Sequence, residues 1–128
     1  MKTALPLTSF RAYGENKSLY FRVVIWKTLK DFRAANPGNS RALGLCRSFR
    51  VMKVQPKGST KRDRFKPILG EIHLAARFVT VGILSHEACH AMMSWAEEAH
   101  CTPLFLVRQI VHRLYRRKIL TVKAKVNR

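Results

Sequence analysis

The segment from His86 to His90 constrains the fold more than any other part of the sequence, because it carries two histidines four residues apart with Glu87 between them. At about 100° per residue, a helix places both imidazoles on one face, one turn or about 6 Å apart, with the glutamate flanking that face. Two neutral imidazoles at this spacing suit neighbouring positions on one tetrahedral metal ion. The segment therefore predicts a helix that carries a metal site, with Zn²⁺ as the expected ion.

The pattern His-Glu-x-x-His is specific in a chain of this composition. Five histidines and five glutamates in 128 residues give roughly 0.007 matches by chance. Zinc lowers the pKa of a bound water towards about 7, and Glu87 is placed to accept its proton and later deliver it to a leaving amine. The competing interpretation is that His86 and His90 are surface histidines, or cap the core, and bind no metal.

A third metal ligand has to come from outside this segment, since two histidines do not complete a zinc site. In an unbroken helix Glu97 would lie about 10 Å along the axis from His90, so the chain has to turn after about Met93 for an acid to fold back. Glu97 and Glu98 are equally well explained as solvated charges at a helix end. The downstream candidates are Glu97, Glu98, His100 and Cys101.

Hydrophobic periodicity predicts a single α+β domain over residues 1–128. Apolar residues at helical spacing predict an N-terminal helix from Ser18 to Ala35, with Asn36 to Asn39 as its stop. Alternation predicts a short antiparallel sheet with strands at 43–54 and 67–74, separated by an exposed basic loop over 55–66. The stripe of the N-terminal helix consists of Phe21, Ile25, Leu29 and Phe32.

Two further helices are expected after the sheet. The first begins at about Ala76 and runs through the His-Glu-x-x-His segment towards Trp95. The second begins at Pro103, because proline suits the first helical position, and a basic tail follows over 121–128. The buried stripe of the last helix consists of Val107, Ile110, Val111 and Leu114.

The strand before the metal helix is expected to pair with an extended substrate backbone through residues 69–74. Ile72 and Leu74 would share one face, and Glu71 and His73 the other. His73 is a candidate for contact with substrate. The alternative is that His73 is an ordinary residue of an edge strand.

Positive charge is the second dominant feature of the sequence. There are 25 Lys and Arg against 7 Asp and Glu, a formal net charge of +18. Such an excess favours salt-sensitive contact with DNA, RNA or an acidic protein, although a solvated basic surface has the same composition. The candidate contact residues are Arg47, Arg50, Lys53, Lys57, Lys61, Arg62, Arg64, Arg113, Arg116 and Arg117.

The stretch from Gly70 to Leu120 resembles small phage and bacterial zincins of the ImmA/IrrE and SprT-like kinds. The resemblance consists of a strand, the metal helix and a glutamate pair before a last helix, and it covers roughly 50 residues. It implies a zinc metallopeptidase in which Glu97 or Glu98 is the third ligand, or His100 on the SprT-like pattern. The chain departs from that pattern in its short spacer after His90 and in Pro103, which starts the last helix after the acid pair.

Two functions follow from these features. The first is a zinc-dependent metallopeptidase acting on a protein or peptide near nucleic acid, with Glu87 as general base. The second is a non-catalytic basic protein, on a degenerate zincin scaffold, that binds nucleic acid or an acidic host complex. The odd cysteine number and the absence of a long apolar run predict a reducing, cytoplasmic setting without a membrane partner. The resemblance to small zincins implies a bacterial or phage-infected cell.

Overall fold

The computed structural model describes residues 4–14, 20–38, 42–53, 68–92 and 103–122. These ranges form a four-stranded sheet and three helices, which confirms the mixed α and β composition. The predicted loop over 55–66 and the tail beyond 122 lie outside the described residues. The elements are β1 (Pro6–Tyr13), β2 (Tyr20–Trp26), α1 (Leu29–Ala35), β3 (Gly44–Lys53), β4 (Ile68–Ala75), a short 3-10 helix (Ala76–Phe78), α2 (Val81–Met92) and α3 (Leu104–Arg116).

The two predicted strands do pair antiparallel, as β3 with β4, but the sheet as a whole has four strands and is mixed. Its strand order is β1-β2-β4-β3. β1 with β2 and β3 with β4 are antiparallel pairs, whereas β2 runs parallel to β4. In the chain, α1 and β3 lie between β2 and β4. They return the chain to the end of the sheet where β2 begins, so β4 can run in the same direction as β2. β1 and β3 are therefore the edges, and β4 is interior.

The predicted N-terminal helix is wrong over its first half, where the structure has strand β2. Val23 and Ile25 are buried on one face of this strand, and Val24 and Trp26 on the other. A run that is apolar on both faces is typical of an interior strand, and the same residues mimic a helical stripe. Only α1 is helical, and the Thr28 hydroxyl caps it by accepting the backbone N–H of Asp31 at 3.0 Å.

Strand β1 was not expected from the sequence. It pairs with β2 over its whole length and buries Phe10 and Ala12 against the core. The polar residues Thr8, Ser9 and Arg11 interrupt the apolar pattern of this segment, so the sequence gives only a weak signal for a strand here. The strand becomes recognisable through its pairing with β2, whose apolar spacing also fits a helix.

Helices α2 and α3 cover one face of the sheet, and α1 covers part of the other. The first core joins Ile72 and Leu74 of β4 to Leu84 of α2 and Ile110 of α3. The expected start of the metal helix at Ala76 is wrong, because the chain first forms the 3-10 helix and α2 begins at Val81. The expected start of the last helix at Pro103 is confirmed to within one residue, since α3 begins at Leu104 and Pro103 is its N-cap residue. Its predicted stripe is fully buried: Val107, Ile110, Val111 and Leu114.

The smaller core lies under α1, where Phe32 packs with Val24, Trp26 and Ala75. Ile72 and Leu74 point to the α2 side and His73 to the α1 side, as the alternation of β4 predicts. Among the helices of the described residues, none is long and apolar enough to cross a bilayer.

Candidate metal centre

Helix α2 brings His86, Glu87 and His90 together as a group of potential metal ligands. One ligand atom from each lies within 4.8 Å of the others. The Nε2 atoms of His86 and His90 are 3.0 Å apart, and their rings are perpendicular with centroids 4.5 Å apart. Zinc–nitrogen bonds of about 2.0–2.1 Å at a tetrahedral angle place two ligating nitrogens about 3.3 Å apart. The imidazole pair is therefore close to the spacing that a single tetrahedral ion requires.

The three side chains differ in their access to solvent. His86 is exposed, His90 is half-buried, and Glu87 is only 4% exposed. The difference follows from helical geometry, because Glu87 lies about 100° from His86 and turns towards the body of the protein. The group therefore presents an open imidazole pair with an enclosed carboxylate at its side.

Gly44, the first residue of β3, provides the space for Glu87. A Cβ atom at this position would lie 2.9 Å from Ile83 Cγ2 and 3.1 Å from Glu87 Cγ. It would also lie 3.2 Å from the carboxylate oxygen Oε2. A side chain at residue 44 would therefore displace the glutamate. The sequence gives no direct sign of this contact, since Gly44 and Glu87 are far apart in the chain.

A cleft of about 440 Å³ opens between α2 and the beginning of β3. His86 and Glu87 both line it, so one imidazole of the pair and the carboxylate face a common space. Its remaining walls are small or apolar side chains and backbone. The lining residues are Ala42, Leu43, Gly44, Gly82, Ile83, His86 and Glu87.

Cys46 also lies on the β3 side of this region, and sequence reasoning gave it no role. Burial raises the pKa of its thiol to about 12, and the nearby negative charge of Glu87 adds to the shift. The thiol is therefore neutral at physiological pH.

The predicted third ligands Glu97 and Glu98 lie outside the described residues, together with His100 and Cys101. Within the described part of the chain, the group of potential ligands consists of His86, Glu87 and His90. Together with a further ligand, this group could hold a divalent ion, and a carboxylate beside such an ion could exchange a proton with its bound water.

The structure separates His73 from this group. His73 lies on the opposite face of the sheet, where it is 7% exposed. Its Nδ1 accepts a hydrogen bond from Trp26 Nε1 at 3.0 Å, which assigns the proton to Nε2, and Nε2 lies 3.3 Å from Glu71 Oε1. Burial lowers the pKa of His73, against the opposing effect of Glu71. This histidine is held by structural partners and does not reach the cleft.

The expectation that residues 69–74 pair with an extended substrate is wrong. β4 is hydrogen-bonded to β2 on one side and to β3 on the other. Its backbone groups are therefore already used. The edge strand next to the cleft is β3, whose first residue is Gly44.

Comparison with protein-family models, with curated proteins and with solved structures finds no match for this chain. The interpretation of the metal group therefore depends on its own geometry. That geometry consists of two imidazole nitrogens 3.0 Å apart on one helix, with a buried carboxylate beside them.

The predicted basic contact residues fall into three sets. Arg47 is exposed on β3, and its guanidinium donates to Asn36 Oδ1 at 2.6 Å. Arg113, Arg116 and Arg117 are exposed at the end of α3, where they line a cavity of about 380 Å³. Arg50 and Lys53 lie on β3, but their side chains are outside the described part, as are the residues Lys57, Lys61, Arg62 and Arg64.

The arginines of α3 are anchored to β1. The guanidinium carbons of Arg113 and Arg117 lie 6.0 and 5.5 Å from the centroid of the Phe10 ring. Arg117 also donates to the Thr8 hydroxyl and, at 3.5 Å, to the Ser9 carbonyl. These contacts hold the guanidinium groups close together in spite of their like charge.

Proposed function

We propose that this chain is a zinc-dependent hydrolase of the metallopeptidase type, with His86 and His90 as metal ligands and Glu87 as general base. The observation that carries the proposal is the 3.0 Å separation of the two Nε2 atoms beside a buried carboxylate, with His86 and that carboxylate lining one cleft. Bound zinc would supply Lewis acidity and a water of lowered pKa. Histidine pairs on one helix face with a third ligand elsewhere are a recurrent form of such sites.

In this proposal Glu87 takes the proton of the attacking water and passes it to the leaving amine. Its burial suits this role, because a carboxylate enclosed by the fold keeps a fixed position from which it can accept and return the proton. Gly44 keeps the carboxylate in place by leaving it room. Glu97 or Glu98 would complete the metal site, in agreement with the resemblance to small zincins.

The substrate class that the cleft supports is an extended peptide. β3 is an edge strand, and Gly44 at its beginning lines the cleft beside Glu87. An extended peptide that added to this edge would pass the imidazole pair with its backbone hydrogen bonds satisfied. Small and apolar walls at Ala42, Leu43 and Ile83 would accept side chains of modest size.

The test is the metal content of the purified protein. We expect about one zinc per chain, because one tetrahedral site is proposed. His86→Ala should lose the metal, whereas His112→Ala, which removes an exposed histidine of α3, should retain it. A wild-type content below about 0.2 zinc per chain after mild purification would contradict a site of this kind.

Three variants, Glu87→Gln, Glu97→Ala and Glu98→Ala, distinguish a role in cleavage from a role in metal binding. Glu87→Gln should keep the metal and lose about 10² to 10⁴ in the rate of cleavage of an unfolded casein substrate. Of Glu97→Ala and Glu98→Ala, the one that lowers zinc content identifies the third ligand. Retention of full cleavage in Glu87→Gln would remove the glutamate from the mechanism.

A second candidate is a binding protein without catalysis, favoured by the cavity that Arg113, Arg116 and Arg117 line on α3. Three neighbouring guanidinium groups, two of which pack on Phe10, suit phosphate or carboxylate groups of an acidic partner. The zinc measurement discriminates the two candidates, because only the hydrolase requires the metal.

A further inference from the structure

A row of charged side chains crosses all four strands of the sheet. The register places Arg11 of β1 opposite Arg22 of β2, Arg22 opposite Glu71 of β4, and Glu71 opposite Arg47 of β3. Neighbouring strands are about 4.8 Å apart, so the row spans about 14 Å. Three arginines and one glutamate therefore form a continuous line across the sheet.

This row lies on the face of the sheet opposite to α2 and α3. The alternating neighbours Phe10, Ala12 and Phe21 are buried in the core under those two helices. On the other face, α1 covers the end that carries Trp26. The side chain of Arg22 remains 48% exposed, and Arg47 is also exposed.

The charges of this row are not balanced. Glu71 Oε2 is 3.6 Å from Arg22 Nη1, and Glu71 Oε1 is 3.3 Å from His73 Nε2. Arg11 stands directly across from Arg22, and like charges at opposed positions destabilise a sheet. The row therefore retains an excess of two positive charges, which a bound polyanion would neutralise.

Two tyrosines stand next to the arginines on the same face. Tyr13 and Tyr20 are opposed in the register, and each lies two residues along its strand from Arg11 or Arg22. Their rings are 4.9 Å apart at an angle of 67°, and both are half-buried. Aromatic rings on a sheet beside arginines are the combination that binds single-stranded nucleic acid, since bases stack on the rings and phosphates contact the guanidinium groups.

We propose that this face binds single-stranded nucleic acid, with Arg11, Arg22 and Arg47 contacting phosphates and with Tyr13 and Tyr20 stacking on bases. A duplex is a poorer ligand for this surface because its bases are paired and cannot reach the tyrosine rings. The proposal goes beyond the hydrolase function and does not depend on it, since the metal group lies across the sheet.

The test is fluorescence anisotropy with a labelled 12-nucleotide deoxythymidine strand over a series of salt concentrations. Arg11→Gln/Arg22→Gln should weaken binding at least about tenfold and reduce the magnitude of the log–log salt slope by about 1.4, the value for two lost contacts on a single strand. The matched control Arg77→Gln/Arg108→Gln removes two exposed charges elsewhere and should change affinity less than about twofold.

The tyrosines test the role of the rings. Tyr13→Leu/Tyr20→Leu should weaken binding about tenfold, whereas Tyr13→Phe/Tyr20→Phe, which keeps both rings, should restore most of the affinity. Circular dichroism establishes that each variant is folded. If the leucine pair is unfolded, the phenylalanine pair and the arginine pair decide the matter.

Three results would overturn the proposal. The first is a loss of affinity in Arg113→Gln/Arg116→Gln that the sheet-face variants do not show, because binding would then belong to α3. The second is equal affinity for a matched duplex, and the third is equal affinity for polyglutamate with no effect of the tyrosines. Zinc content measured in the same variants should be unchanged, which keeps this proposal separate from the hydrolase.

Discussion

The histidines on the two faces of the sheet differ in what their ring nitrogens face. Both nitrogens of His73 have protein partners, Trp26 on one side and Glu71 on the other. His86 and His90 instead turn their Nε2 atoms towards each other on one face of α2. A histidine enclosed by a donor and a carboxylate stabilises the fold, whereas a pair with converging nitrogens could hold a shared ion.

The largest expected difference comes from replacing one histidine on each face of the sheet by leucine. His73→Leu leaves the buried Trp26 N–H without its acceptor, so the free energy of unfolding should fall by about 1–3 kcal/mol. His86→Leu alters an exposed position and should change the metal-free stability by less than about 0.5 kcal/mol. Urea denaturation of both proteins in chelator measures the difference.

The same two variants should differ in the opposite sense in metal content, because the variant that loses stability should keep the metal. His73→Leu is expected to keep its zinc and His86→Leu to lose it. Equal destabilisation by both substitutions would mean that His86 has a structural role like that of His73.

Substitutions of two glycines beside the cleft test whether cleavage depends on the position of Glu87. Gly44→Ala should reduce cleavage about tenfold with zinc retained, because the added methyl group displaces Glu87 from its position. Gly82→Ala is the matched control, since its Cβ would meet only the Thr80 hydroxyl at 3.9 Å.

In the first turn of helix α2, Gly82→Ala should raise stability by about 0.4–1 kcal/mol, and it should change cleavage much less than Gly44→Ala because it leaves Glu87 in place. Steady-state rates and thermal unfolding of the two variants provide the measurement. Wild-type activity in Gly44→Ala would mean that Glu87 tolerates displacement and does not act at a fixed position.

The smallest expected effect concerns pH and the buried His73. Its folded pKa is lowered by burial, from an ordinary value of 6.5. The unfolded chain therefore binds the proton more readily, and the stability that His73 contributes is full above pH 6.5 and is lost as the pH falls through its lowered pKa. Glu71 limits the shift, whereas Arg22 and Arg47 add to it.

Unfolding free energies measured from pH 7.5 down to about pH 4.5 should therefore decline more steeply for the wild type than for His73→Leu. Parallel curves for the two proteins would show that other groups account for the pH dependence. Chelator in the buffer keeps metal binding out of the measurement.

The sequence predicted the elements whose signals are local. The spacing of His86, Glu87 and His90 located a helix face, and Pro103 located the start of α3. Strand β4 was recognisable from its alternation. In each case the decisive residues lie within about three turns of a helix or one strand, so no distant partner was needed.

The elements that were missed depend on distant partners. Phe21 and Ile25 have helical spacing with Leu29, and only their pairing with β1 and β4 identifies them as part of a strand. The contact between Gly44 and Glu87 joins β3 to α2, and the bond from Trp26 to His73 joins β2 to β4. No local pattern in the sequence predicts such contacts, because they exist only after the sheet is assembled.

The parallel pairing of β2 with β4 has a consequence for the order of folding. Val24 pairs with His73, about 50 residues later in the chain, so a large loop has to close before the centre of the sheet exists. β1 and β2 form a local hairpin that can assemble early, whereas β4 and the metal helix behind it join late. Zinc would then bind after the rate-limiting step, and its addition should slow unfolding while leaving the refolding rate unchanged.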